Sequence, residues 1–425
     1  MEVLQKPKEG YKFVILRPRH ITVEVPVDWC VSTIGEICRT SSGGTPSRSN
    51  NKFYNGTTPW IKTGELNDGY LSKTEECISE EALRSSSVKK FPSNTVLFAM
   101  YGATIGKTAI TTIEATTNQA CCAFIPFQKK VIDPYYLQQY LILSRDLIIS
   151  LGEGAGQPNT SQDFMRTFYV VYPTYQEQLT ISLILSRMDE LVRKTEQIIE
   201  QTQRLKKGLI NKLVNRGTRL TKSIKNNTVP EGFELVKLNE IVDINPNYTY
   251  QKDEQYLFVE MAAINGNTKA IDYFGKRKLS SGYAMFKNGD TILARITPCI
   301  ENGKVALIEG IEGIGLGSTE LIVLSPKKRL LHEFLYYYCQ TDAVKNYAVS
   351  QMRGATGRQR VPDKVFTEDL HIVFPVDMEL QRQTVDIIRK VEYLIKIRYR
   401  EKLNFESLKK GLMQKLLTGK IRVKV

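Results

Sequence analysis

The chain has 425 residues, with 59 Lys and Arg against 45 Asp and Glu, a formal net charge of +14 at pH 7 and a pI near 9.2. The length allows two or three domains with ample core, and the charge points to a polyanionic partner, nucleic acid before an acidic membrane. No apolar run is long enough to span a bilayer and no secretory signal opens the chain, so a cytoplasmic protein with no membrane partner is expected. Seven cysteines, an odd number, show no metal-ligand spacing, which fits a reducing compartment where thiols serve as small apolar residues. The three histidines, at 20, 332 and 371, argue against a histidine-based catalytic or zinc site, and no metal is expected.

Residues 1–22 are polar and basic and read as an extension or an edge segment. A first globular part follows over 23–172. Ser42-Gly-Gly-Thr-Pro-Ser-Arg48 is a loop, with paired glycines, a proline and an arginine. Thr58-Pro-Trp-Ile-Lys-Thr-Gly64 reads as a buried strand ending in a turn, and Asn94 to Gly106 as strand and glycine turn, with a second strand from Lys107. Tyr136, Leu137, Tyr140, Leu141 and Leu147 give helical spacing over 134–149. The polar loop 152–159, GEGAGQPN, closes this part.

Residues 173–217 are expected to form one long helix. Ile184, Met188, Leu191, Thr195, Ile198, Thr202, Leu205 and Leu209 step by four and three, which is heptad spacing. The chain then repeats itself. Leu-Lys-Lys-Gly-Leu at 205–209 returns at 408–412, a shift of 408 − 205 = 203 residues, and at that shift Gln178 meets Gln381 and Leu191 meets Leu394. The openings Val25-Pro26 and Val229-Pro230 repeat at 229 − 25 = 204. A whole unit, globular part and helix, is therefore duplicated.

The second globular part, 218–375, keeps the plan with nearly unrelated residues. Gly289 to Pro298 replaces the 94–104 stretch, Asn302 to Ala306 replaces 105–109, 332–347 is the second helix, and the basic Met352 to Arg360 replaces the 152–159 loop. The second long helix and tail occupy 376–425, with the seam Ile387, Val391, Leu394, Arg398, Glu401, Phe405, Leu408 and Leu412. A helix of this length, roughly 60 Å at about 1.5 Å per residue, cannot bury its stripe alone, and the other copy is its obvious partner. Arg398 and Glu401 mid-seam pair with each other, snorkel outward, or mark a solvated gap. The fold class is α+β: two pseudo-repeated mixed domains joined by two long, antiparallel coiled-coil helices.

Tempting catalytic motifs fail. Asn245-Pro-Asn-Tyr248 approaches the Asn-Pro-Pro-Tyr of amino-methyltransferases, but its third residue is Asn and no glycine-rich methyl-donor loop precedes it. Gly313 to Gly317 lacks nucleotide-loop spacing, and Gly106-Lys-Thr108 lacks the rest of a P-loop. The positive signal is the set of small, basic and amide residues in loops, suited to phosphates and base edges. Singly each loop is an ordinary surface turn; as two matching sets on a basic duplicated chain they favour DNA. The candidate DNA contacts are Gly43, Gly44, Thr45, Ser47, Arg48, Lys62, Tyr101, Thr104, Lys107 and Gln157 in the first part, and Arg295, Thr297, Lys304, Arg353, Arg358 and Arg360 in the second.

With Ser42-Gly-Gly-Thr-Pro-Ser-Arg48, Pro59-Trp-Ile-Lys-Thr-Gly64, Tyr101-Gly-Ala-Thr-Ile-Gly-Lys107, the two Val-Pro openings and the Leu-Lys-Lys-Gly-Leu helices ending in Leu417-Thr-Gly-Lys-Ile-Arg422, the chain resembles the specificity subunit of type I restriction-modification systems from about residue 22 onward. The resemblance implies two target recognition domains, each reading half of a split site in double-stranded DNA. It implies that the helices set the spacing and dock two methyltransferase subunits, with Leu191, Leu205, Leu209, Leu394, Leu408 and Leu412 as candidate docking positions. S-adenosylmethionine, ATP and Mg would belong to those subunits and to an endonuclease-translocase subunit, with no cofactor and no catalytic residue on this chain. The second domain departs from the pattern, having Ile244-Asn-Pro-Asn247 in place of the Gly-Gly-Thr-Pro loop. Rival readings are a specificity protein for a methyltransferase acting without restriction, a basic coiled-coil assembly protein, and a methyltransferase using 245–248.

Overall fold

The computed structural model describes residues 7–16, 21–152, 159–214, 229–251, 254–266, 269–280, 282–355 and 357–424. The chain forms two compact units, Met1–Lys194 with Glu401–Val425, and Thr195–Arg400.

In the first unit a five-stranded sheet runs in the order Cys38–Ser42, Cys121–Pro126, Val96–Ala99, Thr108–Thr111, Gly69–Leu71. A four-stranded sheet runs Glu76–Ile78, Thr58–Ile61, Ala115–Thr117, Lys90–Phe91. Strand alternation explains the sequence. Val96, Phe98, Cys122 and Phe124 face the main core with Tyr136, Leu137 and Leu141, while Leu97, Ala99, Cys121 and Ala123 face a second core with Ile61, Leu66 and Phe91. The adjacent Cys121 and Cys122 thus fill opposite faces as free thiols, and burial pushes the Cys122 thiol up to about 12.

The second unit keeps this strand order without a counterpart, among the described residues, of the fifth strand Gly69–Leu71. One sheet runs Val242–Ile244, Leu321–Pro326, Thr291–Ala294, Val305–Leu307, and the other Gly275–Lys278, Gln255–Val259, Ile314–Gly317, Ala284–Lys287. Its strands alternate between two cores as well, with Leu293, Ile322 and Leu324 on one face and Ile292, Leu321 and Val323 on the other. The duplication seen weakly in sequence is therefore plain in strand order, with one edge strand, Gly69–Leu71, added in the first unit.

Each helix expected before the long helices is two helices. Pro134–Leu143 and Arg145–Leu151 break at Ser144, and His332–Cys339 and Asp342–Ser350 break where extended Thr341 caps the Val344 N–H. The N-terminal segment contributes a strand, Tyr11–Leu16 pairing antiparallel with Ile21–Pro26. The C-terminal tail packs on it. The Tyr11 hydroxyl donates to the Gly419 carbonyl (2.8 Å), and Arg422 forks onto Asp28 (2.9 and 2.8 Å) and the buried Glu177 (2.8 Å). Gly419 is required there, since its φ is +71° and a Cβ would sit 2.5 Å from Pro26.

The long helices are Tyr175–Leu213 and Met378–Leu416, 39 residues each. Within the first unit Lys409 pairs with Asp189 (2.5 Å), and within the second Lys206 pairs with Glu392 (2.8 Å). Both pairs have the same index sum, 189 + 409 = 206 + 392 = 598, as antiparallel neighbours must. The first lysine of each Leu-Lys-Lys-Gly-Leu is thus a cross-helix ion pair. Its carboxylate also accepts from a tyrosine hydroxyl, Tyr135 to Asp189 (2.5 Å) and Tyr337 to Glu392 (2.9 Å).

The seam is corrected by half. Met188 and Thr195 are buried as expected, but Leu191, Ile198 and Leu205 are 40, 41 and 55% exposed; the buried stripe includes Ile181, Leu185, Met188, Thr195, Ile199 and Ile210. In the second helix Val391 is buried, while Ile387, Leu394 and Leu408 are 45, 50 and 53% exposed and Val385, Ile388, Met413 and Leu416 are buried. The cause is the globular core, which claims Ile181 and Leu185 in the first unit and Ile210, Val385 and Ile388 in the second. The buried stripe turns toward it. Leu209 and Leu412 are half-buried.

Gly208 and Gly411 lie in helix interiors where an added Cβ meets nothing within 4 Å. Alanine at each is expected to stabilise its unit by about 0.5–1 kcal/mol through helix propensity. Thermal melting checks this; an unchanged or lower midpoint contradicts it.

Candidate nucleic-acid interface

The glycine loop of the first unit is placed by packing. A Cβ on Gly43 would lie 2.0 Å from the Thr117 carbonyl oxygen, and one on Gly44 2.7 Å from the Ser87 backbone. Gly44 donates to Thr117 (2.9 Å) and accepts from the Trp60 indole (3.0 Å). Thr45 donates to the Gln119 side chain, and Ser47 shares a hydrogen bond with Ser49 (2.8 Å). The loop delivers Arg48 over the rings of Tyr54 and Trp60, 4.1 and 5.1 Å from their centres. Arg48 (2.7 Å) and Lys62 (2.9 Å) meet on Glu76, and Lys62 also reaches Glu75 (3.0 Å). Hydrogen bonds from Arg48 and then Lys62 hold the Glu76 carboxyl below its ordinary range.

Lys107 belongs to a different cluster. It pairs with Asp68 (3.4 Å), which also takes Arg145 (2.5 Å) and the Thr108 N–H (3.0 Å). Burial pushes the Asp68 carboxyl up, but these partners outweigh it and hold it low. The turn between has Gly102 and Gly106 in the left-handed region, at φ +83° and +81°, and the Thr104 carbonyl accepts from Lys107 N–H (3.0 Å). Tyr101 packs half-buried on the main core. Thr160 ties the start of this turn to the end of the 152–159 loop, its N–H donating to Met100 (2.9 Å). Gln157 lies outside the described residues.

The second unit joins its loops in the same corner. Val361 N–H donates to Arg295 (2.8 Å) as Thr160 does to Met100, and Thr297 N–H donates to Gln359 (3.0 Å). Arg353 and Arg360 exchange both backbone hydrogen bonds (2.9 and 2.8 Å), so the basic loop is a hairpin. Arg360 forks onto Glu320 (2.6 Å for the closest pair), lowering that carboxyl. Arg295 is tied inward, to Asp363 (2.9 Å) and the Val361 carbonyl (3.1 Å), and Lys304 to the Met261 carbonyl (2.6 Å). Thr297 contacts the Met352 sulfur (3.8 Å). Arg353 and Arg358 are exposed, and their guanidinium groups have no partner among the described residues.

Sequence reasoning passed over the strand Gly275–Lys278, whose Lys276, Arg277 and Lys278 are all exposed. Its signal was present: Gly-Lys-Arg-Lys directly after Tyr273-Phe274. The Asn245-Pro-Asn-Tyr248 segment is structural. Asn245 continues the sheet edge, exchanging hydrogen bonds with Val323 (2.8 and 3.0 Å), and Tyr248 donates to buried Asp290 (2.7 Å). Glu309, His332 and Glu333 place ligand atoms within 4.8 Å of one another, yet Lys269 pairs with Glu309 (2.8 Å) and Arg389 with Glu333, so both carboxylates already have cations.

One scaffold repeated twice, with corner loops of different chemistry, defines a duplicated recognition protein. The family described as type I restriction modification DNA specificity domain matches residues 26–204 and again 230–404, and the chain belongs to that family. The type I restriction enzyme MjaVIII specificity subunit of Methanocaldococcus jannaschii is 26% identical over 422 residues, 95% of each chain. The EcoEI specificity subunit of Escherichia coli is 34% identical over 203 residues, 46% of this chain and 33% of the relative. A solved chain from a type I restriction-modification system shares the fold, with a TM-score of 0.63 at 15% identity over 93% of this chain and 99% of the other. The S subunit from M. genitalium gives 0.50 at 16%, over 91 and 96%. Among the described residues no helix is long and apolar enough to cross a membrane.

Proposed function

We propose that this chain is the DNA-reading specificity subunit of a type I restriction-modification complex in the cytoplasm, each globular unit recognising one half of a split site in double-stranded DNA. The observation that carries this is the contrast within the duplication: strand order is kept and loop chemistry is not. A scaffold under one constraint and loops under two suits two different half-sites. The long helices set the distance between the units. Their outward row of Leu191, Leu205, Leu394 and Leu408 docks methyltransferase subunits, with half-buried Leu209 and Leu412 at its margin. S-adenosylmethionine enters with those subunits, and ATP and Mg with an endonuclease-translocase. This chain positions the reaction and performs no catalytic step.

The isolated chain should bind DNA weakly and with steep salt dependence, because phosphate contacts dominate non-specific affinity. With its modification subunits it should methylate a two-part site. Leu191→Glu with Leu394→Glu should leave the DNA binding of the isolated chain intact and abolish co-purification of the methyltransferase. Salt-independent binding contradicts the first part, and wild-type co-purification by the double variant contradicts the docking row.

A further inference from the structure

Trp60 and Phe258 hold the same place in their units. Each lies on the second strand of its four-stranded sheet, paired in parallel register, Trp60 with Thr116 and Phe258 with Leu316. One residue later the strands close alike, Asn118 N–H donating to Ile61 (2.9 Å) and Ser318 N–H to Val259 (3.2 Å). Both rings are buried, at 2 and 3% exposure. Each carries an arginine. The Arg48 guanidinium is 5.1 Å from the Trp60 ring centre, and that of Arg277 is 4.3 Å from Phe258. Each arginine is held by a carboxylate, Arg48 by Glu76 (2.7 Å) and Arg277 by Glu260 (2.7 Å).

The two arrangements are built from different parts of the chain. Arg48 comes from the glycine loop, whereas Arg277 lies on the edge strand Gly275–Lys278. The equivalent edge strand of the first unit, Glu76–Ile78, supplies the carboxylate instead. The residue following the central strand is Lys62 in the first unit and Glu260 in the second. An ion pair joins the edge strand to this residue in both units, Glu76 with Lys62 in one and Arg277 with Glu260 in the other, with the signs exchanged and Arg277 two residues along the edge strand from the place of Glu76. Neither the sequence nor the sign pattern is kept; what is kept is an arginine lying on the aromatic ring.

Stability does not account for this. The side chains of Arg48 and Arg277 are 55 and 47% exposed. Exposed ion pairs and cation–π contacts contribute little, and fixing a long side chain costs rotamer freedom. An arginine already fixed has less to lose when a ligand arrives. Arg48 gives one N–H from each terminal nitrogen to Glu76, and Arg277 gives one to Glu260 and one to the Tyr283 hydroxyl (3.3 Å). Among the described residues three of the five N–H donors of each guanidinium remain without a partner, enough for the two acceptors, O6 and N7, on the major-groove edge of guanine.

We infer that Arg277 and Arg48 are base-reading residues, each recognising the O6 and N7 edge of a guanine in the half-site of its own unit. This rests on the chain being the specificity subunit. The test uses the full chain with its modification subunits in cells, and methylated bases mapped by sequencing. A wild type that methylates no two-part motif defeats the functional reading rather than this one. Given such a motif, Arg277→Ala should relax one G·C position in one half by about tenfold or more and leave the other half unchanged, and Arg48→Ala should do the reverse. Glu260→Gln, which removes the charge that holds the arginine and keeps the arginine itself, should relax the same position less. Lys276→Ala should weaken methylation at every sequence alike. A motif unchanged in both halves by Arg277→Ala, or a loss as uniform as that of Lys276→Ala, overturns the inference. If Arg277→Ala melts too early to judge, Arg277→Lys decides: it keeps charge and stem but loses the fork, and methylation with an unrelaxed motif then overturns the assignment.

Discussion

Replacing Gln381 with alanine is expected to destabilise the second unit by roughly 2–3 kcal/mol. Gln381 is fully buried at the start of its long helix. Its amide donates to the Arg329 (3.0 Å) and Pro375 (2.8 Å) carbonyls, and its oxygen accepts the Leu331 N–H (2.9 Å). Gln178 does the same in the first unit, donating to Val131 and Pro173 (3.0 Å each) and accepting from Asp133 N–H (2.8 Å). The repeated glutamine is a clamp between helix and globular part. Alanine leaves three backbone groups unpaired, the Pro375 carbonyl buried and the Arg329 carbonyl and Leu331 N–H part-buried; a fully buried group costs about 1–3 kcal/mol, and the part-buried two cost less because water reaches them. Glutamate at 381 keeps the acceptor, with one O–H donor when protonated and none when ionised. Burial against two carbonyl oxygens would raise the folded pKa of that carboxyl above its unfolded value. Its ionised form is then the penalised one, so the penalty grows as pH rises through the unfolded pKa and is relieved as pH falls through the folded pKa. Calorimetry of Gln381→Ala and of Gln381→Glu across pH tests both; a loss below about 1 kcal/mol for alanine would show that the clamp is incidental.

The repeat made much of this legible. A shift of 203 residues placed Gln178 on Gln381 and Lys206 on Lys409, and those are the residues that anchor and cross-link the helices. The strand plan was legible for the same reason, since one set of periodicities supported the other. The seam was not. Met188 and Thr195 belong both to the expected stripe and to the one that is buried, and the sequence contains two three-and-four ladders through them. Only the globular core, which covers Ile181 and Leu185, selects between them. The loop cations were visible as cations, but their carboxylates were not. Glu76 is 28 residues from Arg48 and Glu320 is 40 from Arg360, and no local pattern marks such a pair. Gly43 and Gly44 show a further limit: a loop that could approach phosphate and a loop pressed against Thr117 and Ser87 need glycine for the same steric reason.

Lengthening both long helices by one heptad is expected to change the gap in the recognised DNA and nothing else about it. The insertions belong after Lys194 and after Arg400, where the two compact units divide. Both points lie between the cross-helix pairs Asp189–Lys409 and Lys206–Glu392. An insertion in one helix alone would put one of those pairs seven residues out of register, so a single insertion should break packing and abolish methylation. With both, the two cross-helix ion pairs are kept, and only residues 195–197 and 401–403, between the insertion points, change neighbours. Seven residues turn a helix by about 700°, so the buried stripe drifts only ~20°. The added length is ~10 Å, or roughly three base pairs at about 3.4 Å each, and tilt against the DNA axis would reduce this to roughly one to three. Both half-site sequences should persist, because no loop is altered. If the helices only hold the protein together, the double insertion leaves the spacing as it was. Mapped methylation decides: the original half-sites at their original separation, with activity retained, would refute the ruler.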